Sequence, residues 1–359
     1  MAVSTAVSPA KLILMGEHAV VYGRPALITS VDLWLQVRLE TRSEPGVHLH
    51  LAETDHREPT TWPEIRTYTD TARERWERYV EAPGADSFAE LRSDDPAHLV
   101  KVALGEAARR WDDVASSALD VTVRSEQPVG AGFGSSAAVA AATVYALAAL
   151  HGLDRSPDTL YPLALDVERR QHGTPSGVDP ATVLHGGLLW AEATDDDLTP
   201  TPLSDSPSVP KTLRVFHTGT PNESTGTVVD AGRALREADP EAFAATLDRM
   251  EAATRTFRDE ITDGPASPSA LRRAIRQFEE GLEAFGVVPP AVQERIRFIE
   301  NKGGAAKISG AGALTGSGAG CLLVYHPDPN AALWANLHHL SELDVRLGVE
   351  GVHEATVHA

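Results

Sequence analysis

The feature that most constrains this chain is a glycine-rich turn that leads directly into an alanine-rich segment, residues 127–150. The turn contains Gly130, Gly132, Gly134, Ser135 and Ser136. Glycine permits positive φ angles and lets a ligand approach the main chain closely. Because serine is a favoured N-cap, we expect Ser135 or Ser136 to cap a helix. Such a helix start directs free N–H groups and the positive end of the helix dipole at one point, which predicts a phosphate site.

Two common phosphate-binding motifs are absent from the sequence. The chain contains no Gly-Lys dipeptide and therefore no Walker A loop. The turn also lacks the third glycine of a Rossmann fingerprint, and Glu126-Gln127-Pro128 precedes it where an apolar strand would be needed. An ordinary turn before a buried helix is the alternative, but alternating glycines and paired hydroxyls are more than a turn requires.

Length and composition favour a soluble globular protein of two domains. The chain has 359 residues, 42% of them hydrophobic, which is enough for two sizeable cores. No apolar run reaches the ~18 residues of a membrane span, and the N-terminus lacks a basic signal-peptide region, so we expect a cytoplasmic protein. Cys321 is the only cysteine, which excludes internal disulfides and thiolate metal clusters.

The charge balance argues against nucleic acid and anionic membranes as partners. The formal net charge is −19, and lysine supplies only five of the 32 basic residues. An acidic surface conflicts with binding of anionic phosphates unless the cytoplasm is salty, since the Debye length falls to ~3 Å near ~1 M salt. A halophilic protein is the expectation, and an ordinary acidic mesophilic protein is the alternative. Two of the scarce lysines, Lys11 and Lys307, lie in glycine-rich motifs, which suggests a chemical role for them.

The first such motif is P-A-K-L-I-L-M-G-E-H-A-V-V-Y-G, residues 9–23. A short buried strand is predicted at Leu12–Met15, with Glu17 and His18 at the turn that follows. A strand pair, Ala26–Val31 and Trp34–Leu39, should come next. The alternative is a hairpin whose charged residues only face water.

The second motif is E-R-R-Q-H-G-T-P-S-G-V-D, which begins at Glu168. A helix is predicted from Ser156 or Pro157 to about residue 171. The glycines and proline after it force an irregular turn that fixes the position of Asp179. Glu168 and Asp179 would then share one cavity with a cation nearby, because a helix C-terminus does not stabilise a carboxylate. The alternative is that both residues face solvent as helix caps.

The remaining chain supplies the frame. Residues 41–96 are expected to form a surface insertion or lid edge without a catalytic group, with Trp76 and Tyr79 on one side of an exposed helix. Residues 192–210 are predicted as a linker, with a domain boundary near residue 207. Further helices are expected at about 97–111, 225–237, 240–262, 268–285, 290–301 and 329–343, and strands at 118–124, 212–218, 321–325 and 350–358.

Together the motifs resemble those of the GHMP kinases, which phosphorylate small molecules such as galactose, homoserine, mevalonate and phosphomevalonate. The loop P-x-G-x-G-x-G-S-S-A-A carries the family resemblance, and the first two motifs resemble the mevalonate kinase branch in an archaeal, halophile-like form. The resemblance implies an α+β, two-domain fold. Residues 1–207 would form a mixed α/β domain with the ATP loop, and residues 208–359 a ferredoxin-like α+β domain, with the active site between them.

The resemblance also implies roles for individual residues. Asp179 would be the base, or would only orient the acceptor hydroxyl, and Lys11 would keep it ionised and stabilise the transferring group. Mg would bind Ser136 and Glu168, and the acceptor would contact Glu17, His18, Ser224 and Thr225. ATP would contact Pro128, Gly130, Gly132, Gly134, Ser135, Ser136, Ala137, Gly310, Ala311 and Gly312. The third motif departs from the family pattern because G-A-G occurs twice, at 310–312 and 318–320, so which half contacts phosphate stays open.

The reaction that the resemblance implies is transfer of the ATP γ-phosphoryl group to the 5-hydroxyl of mevalonate, a step in isoprenoid synthesis. Another kinase of the family, such as a phosphomevalonate kinase, is the nearest alternative. A mevalonate-pathway decarboxylase is disfavoured by the presence of Lys11 and Glu168, and a non-catalytic nucleotide sensor by the retention of Lys11 and Asp179. A homodimer is the assembly common among such kinases.

Overall fold

The computed structural model describes residues 1–128, 132–194, 197–203, 209–338 and 340–355. Two long antiparallel strands, β1 (Val3–Met15) and β2 (Ala26–Thr41), form the centre of the first sheet. The predicted strand pair at 26–39 is therefore wrong, because the chain continues through residues 32 and 33 as one strand. The apolar run Ala19–Tyr22 between the two strands is a short 3-10 turn.

The first sheet is completed around this pair in the order β12-β1-β2-β5-β3-β4, with a β6–β7 hairpin on β2. Its other strands are β3 (Val47–Leu51), β4 (His56–Thr60), β5 (Leu119–Ser125), β6 (Leu188–Thr194), β7 (Asp197–Pro202) and β12 (His353–Glu354). The hairpin corrects the linker prediction for 192–210, since much of that segment pairs in the sheet. Two of its prolines are tolerated because β7 pairs only with β6. The predicted boundary near residue 207 lies outside the described residues.

Helices pack against this sheet and bury the alanine-rich segment. They are α1 (Trp62–Glu81), α2 (Ala85–Leu91), α3 (His98–Arg110), α4 (Ser135–Leu150), α5 (Pro157–His172) and α6 (Val178–His185). The alanines of α4 are almost all buried, and α4 contacts β1, β2 and three helices of this layer. Small side chains let those neighbours approach closely, so α4 occupies a fixed position in the core.

A second sheet and its helices form the rest of the described structure. The strand order is β11-β8-β10-β9, with β8 (Leu213–His217), β9 (Ala305–Ser309), β10 (Cys321–Tyr325) and β11 (Ser341–Leu343). The helices are α7 (Thr225–Ala238), α8 (Pro240–Thr262), α9 (Pro268–Ala284), α10 (Pro290–Asn301) and α11 (Ala332–Asn336). Four of these helices match the prediction, but the one expected at 329–343 is wrong because α11 stops at residue 336 and a strand follows.

The two layers meet where β1 approaches β9. Ser309 Oγ donates a hydrogen bond of 2.8 Å to the carbonyl oxygen of Ile13. The C-terminal strand β12 crosses back to pair with β1, so both layers are joined through the first strand. In the described part of the chain, none of the helices combines the length and apolar character needed to span a membrane.

Candidate active site

The glycine loop reaches α4 through Gly134, which adopts the left-handed conformation with φ of 70°. Gly134, and neither serine, is the N-cap, which corrects the sequence prediction. Ser135 and Ser136 occupy the first two helical positions, where the free N–H groups of the first turn are available to a ligand. Gly130 lies outside the described residues, and Pro128 is half-buried at the edge of the loop.

A side chain at Gly134 would collide with the side chain of Lys11. A Cβ there would lie 2.7 Å from Lys11 Cγ and 3.4 Å from Asp179 Oδ2. The Lys11 amide also donates to the carbonyl oxygen of Phe133 at 2.9 Å. Glycine at this position therefore allows the start of α4 to close over the Lys11 and Asp179 side chains.

Lys11 and Asp179 are brought together from distant parts of the chain. Lys11 Nζ lies 3.1 Å from Asp179 Oδ1, and the two side chains are 8% and 30% exposed. Lys11 belongs to β1, whereas Asp179 stands in the first turn of α6, just after the left-handed Gly177. The pair combines a fixed positive charge with a carboxylate that remains partly open to a ligand.

Glu168 is the second carboxylate of the site and lies in the last turns of α5. Its side chain is buried, and one of its oxygens, Oε1, has no hydrogen-bond partner among the described residues. Burial, and then the charge of Asp179, raises the pKa of Glu168 to about 8. A cation would relieve both effects, because it would satisfy the unpaired oxygen and favour the charged carboxylate.

The groups around Glu168 fit a magnesium ion. The Ser136 hydroxyl lies 3.3 Å from His172 Nε2, and its proximity to Glu168 lowers the pKa of that carboxyl, against the effect of burial. Mg²⁺ takes hard oxygen ligands, often one or two carboxylates together with phosphate oxygens. His172 was missed by the sequence reasoning, although its spacing of four residues from Glu168 places both on one face of α5.

Glu17 is buried and forms an ion pair with a lysine of the second layer. It is 1% exposed, and its Oε1 lies 2.5 Å from Nζ of Lys307, which has no exposed surface. Lys307 Nζ also donates to the carbonyl oxygen of Ile308 at 2.7 Å. The predicted acceptor contact of Glu17 stays a prediction, and what the structure places against Glu17 is β9 of the second layer.

His18 faces the third glycine-rich motif. Its Nε2 lies 2.8 Å from the carbonyl oxygen of Ala311, and its backbone has a positive φ of 57°. A carbonyl oxygen only accepts, so Nε2 carries the proton. Burial lowers the pKa of His18, which favours the neutral ring with Nδ1 as an acceptor. An acceptor nitrogen of this kind suits contact with a substrate hydroxyl.

The two halves of the third motif have different surroundings. A Cβ on Gly132 would lie 4.0 Å from Cα of Gly310, so residues 310–312 face the nucleotide loop. A Cβ on Gly318 would instead lie 2.8 Å from Cα of Gly219, and the carbonyl oxygen of Gly320 accepts from the Thr218 amide. The first half therefore borders the candidate phosphate site, and the second half packs against the loop after β8.

Ser224 and Thr225 stand at the start of α7 and make no contact with the Lys11–Asp179 pair. Ser224 is the N-cap, and its Oγ accepts from the Thr227 amide at 3.2 Å. Phe88 of α2 approaches this turn from the first layer, within 3.8 Å of where a Cβ on Gly226 would lie. The start of α7 and α2 thus lie close together where the two layers meet.

The segment predicted as a lid edge supports the turn that carries Asp179. Trp76 Nε1 donates to the carbonyl oxygen of Gly173 at 2.8 Å. A Cβ on Gly173 would lie 2.4 Å from the Tyr79 ring. Neither residue carries chemistry, but both fix the backbone between Glu168 and Asp179.

Comparison with known proteins identifies the family to which the chain belongs. Residues 98–187 match the model of the GHMP kinases N terminal domain. Over 329 residues the chain is 30% identical to a mevalonate kinase of Thermococcus sibiricus, covering 89% of this chain and 88% of that protein. The chain belongs to the GHMP kinase family. It is therefore an ATP-dependent phosphotransferase that acts on a small molecule.

Solved structures of the family share the fold. The mevalonate kinase of Methanococcus jannaschii matches with a TM-score of 0.71 at 19% identity, covering 98% of each chain. The galactokinase of Lactococcus lactis, in a structure with galactose, matches with a TM-score of 0.69 at 14% identity, covering 99% of this chain and 95% of that chain. The α+β GHMP kinase fold expected from the sequence is confirmed, and the structure builds it from two sheets.

Proposed function

We propose that this protein is a mevalonate kinase, which transfers the γ-phosphoryl group of ATP to the 5-hydroxyl of mevalonate and gives 5-phosphomevalonate and ADP. The observation that carries the proposal is the 3.1 Å contact between Lys11 and Asp179 beneath Gly134, at the start of α4. The relatives named mevalonate kinase, about 30% identical over most of the chain, support the choice of acceptor.

In the proposed reaction Asp179 accepts the proton of the acceptor hydroxyl, or orients that hydroxyl. The hydroxyl oxygen then forms a bond to the γ-phosphorus as the bond from phosphorus to the bridging oxygen of ADP breaks. Lys11 holds the carboxylate of Asp179 in position through their 3.1 Å contact and stabilises negative charge on the transferring group. Most of the rate enhancement comes from positioning and charge stabilisation, because phosphoryl transfer asks for little covalent work by the protein.

The nucleotide would lie along the start of α4. The N–H groups near Gly132, Gly134, Ser135, Ser136 and Ala137 would bind its phosphates, and residues 310–312 would close the site from the second layer. Magnesium held by Ser136 and Glu168 would neutralise phosphate charge when bound. His18, with Nδ1 as acceptor, and Glu17 remain the proposed acceptor contacts, with Ser224 and Thr225 bordering the cleft.

The same proposal covers the wider properties of the protein. We propose domains at 1–207 and 208–359, an isoprenoid-pathway role in a cytoplasm of high salt, and a homodimer. The net charge of −19 supports the high-salt environment.

Product identification tests the proposed substrate. The purified protein would be incubated with Mg-ATP and mevalonate, phosphomevalonate, homoserine or galactose, at low and at high KCl, and products followed by phosphorus NMR. We expect a new phosphate monoester to form only with mevalonate, and turnover to be faster at high KCl. A product formed only from another acceptor would contradict the proposed substrate and keep the kinase assignment.

A further inference from the structure

We propose that a groove lined by arginines on the outer face of α8 and α9 binds a small polyanion that carries a diphosphate or longer polyphosphate group. The groove, here the arginine groove, has a volume of about 540 Å³, within the usual range for small-molecule sites. Its arginines are Arg249, Arg272, Arg273 and Arg276, and Glu280 is the one carboxylate among its lining residues.

Three of these arginines lack local compensation, in a chain with a net charge of −19. No acidic residue stands three or four positions from Arg249, Arg272 or Arg273, the spacing at which helical ion pairs form. None of the three forms an ion pair with a carboxylate of the described residues. An excess of positive charge therefore remains in the groove.

Arg276 destabilises α9 because other arginines lie on the same face of the helix. Arg272 and Arg273 precede it by four and three residues, so α9 stacks like charges along one face, an arrangement that destabilises a helix. Glu300 Oε1 lies 3.5 Å from Arg276 Nε, but the same carboxylate also pairs with Arg297 at 3.3 Å. Glu280 lies four residues after Arg276, but it is exposed and forms no ion pair with Arg276 in the described structure. A bound anion would relieve this repulsion more completely than these two carboxylates do.

Two of the guanidinium groups are held in place from one side. Arg272 Nη1 donates to the carbonyl oxygen of Gly303 at 2.8 Å, and Arg276 Nη2 donates to that of Gly304 at 2.9 Å. Each guanidinium keeps further N–H groups, and its planar fork matches the oxygens of a phosphate. Fixing the side chains in advance reduces the entropy lost when a ligand binds.

The arginine groove is separate from the candidate active site. On the opposite face of α9, buried Glu279 accepts a hydrogen bond of 3.0 Å from the Ile308 amide, beside Lys307 and its partner Glu17. Helix α9 thus separates the groove from Lys307 and Glu17. A ligand in the groove would not compete directly with ATP at α4.

Calorimetry with inorganic pyrophosphate tests the proposal on the full-length protein without magnesium. The wild type should show two binding events, of which ADP competes for only one. The double variant Arg249→Gln, Arg273→Gln should weaken the ADP-insensitive event by about tenfold or more. The matched control Arg66→Gln, an exposed arginine of α1 with no ion pair among the described residues, should change neither event.

Three outcomes would overturn the proposal. They are a single event abolished by ADP, an ADP-insensitive event that the double variant leaves intact, and equally tight binding of succinate, which would show recognition of charge without preference for phosphate. Because the readout is pyrophosphate binding, none of these outcomes depends on which acceptor the enzyme phosphorylates.

Discussion

Glu168 is a buried carboxylate whose surroundings disfavour its negative charge, and its proposed role is to hold magnesium. It has an oxygen without a hydrogen-bond partner and stands near the negative Asp179. Replacing Glu168 by Gln should preserve or increase stability without magnesium, since an amide carries no charge to bury. Activity should fall about 100-fold or more, with a higher magnesium requirement, because a hard cation binds an amide more weakly.

A magnesium titration of the rate, beside a thermal melt in EDTA, checks the Glu168→Gln prediction. Asp158→Asn is the matched control, because Asp158 lies exposed in the first turn of the same helix. An unchanged magnesium requirement in Glu168→Gln would remove Glu168 from the metal site.

His98 is expected to make stability depend on pH, independently of the proposed catalytic residues. Burial lowers its pKa from the ordinary 6.5 to about 4, and the Tyr68 hydroxyl lies 3.0 Å from its Nδ1. The folded state favours the neutral ring, whereas the unfolded chain binds a proton below about pH 6.5. The contribution of neutral His98 to the free energy of unfolding is therefore complete above about pH 6.5 and is lost as the pH falls toward 4. When the pH falls from 7 to 5, the free energy of unfolding should drop by about 1–2 kcal/mol less in His98→Gln than in the wild type. Urea denaturation at the two pH values measures this, and equal losses would contradict the prediction.

At the scale of elements, the contact between the start of α4 and the pair beneath it is the critical one. Gly134→Ala should reduce the rate about 100-fold, because its Cβ would press on Lys11 and displace it from Asp179. Gly152→Ala is the matched control at the other end of α4, since its φ of 66° is also positive but nothing lies within 4 Å of the added Cβ. Both variants should lose about 1 kcal/mol of stability from backbone strain. Equal activity in the two variants, measured as ADP release, would show that close packing at Gly134 is unimportant.

A second contact between elements joins the two layers through Lys307. Removing one partner of a buried ion pair leaves the other charge unpaired, so Lys307→Met should cost about 3–5 kcal/mol. Glu279→Gln should cost about 1 kcal/mol or less, because burial raises the pKa of Glu279 well above its ordinary value and so favours the neutral form, which an amide resembles. Chemical denaturation compares the two variants. A larger loss from Glu279→Gln would show that Glu279, and not Glu17, is the charged partner of Lys307.

Sequence reasoning predicted several elements and missed others for identifiable reasons. The helices from residue 225 to 301 follow from their periodicity and from proline at or near each start of α8, α9 and α10. The N-cap was misplaced because Gly134 reaches the left-handed conformation before either serine, which a propensity rule does not reveal. The β6–β7 hairpin was missed because its prolines indicate a loop unless the strand is known to be an edge. The partners of Lys307 and Gly173 come from remote segments, and local patterns carry no information about such contacts.

At the scale of the whole molecule, the proposed function depends on three distant stretches meeting at one point. The glycine loop, β1 and the turn before α6 each had a separate explanation in the sequence, as a turn, a hairpin and a helix cap. Their convergence is what the structure adds, and the family match agrees with it. The central claim is that Lys11 and Asp179 form the phosphoryl-transfer centre.

The most direct test compares the wild type with Asp179→Asn, measuring kcat with mevalonate and the dissociation constant of Mg-ATP. We expect kcat to fall about 1000-fold or more, because the amide cannot take the hydroxyl proton, with nucleotide affinity within about threefold of the wild type. A variant that turns over at a near-normal rate would contradict the account.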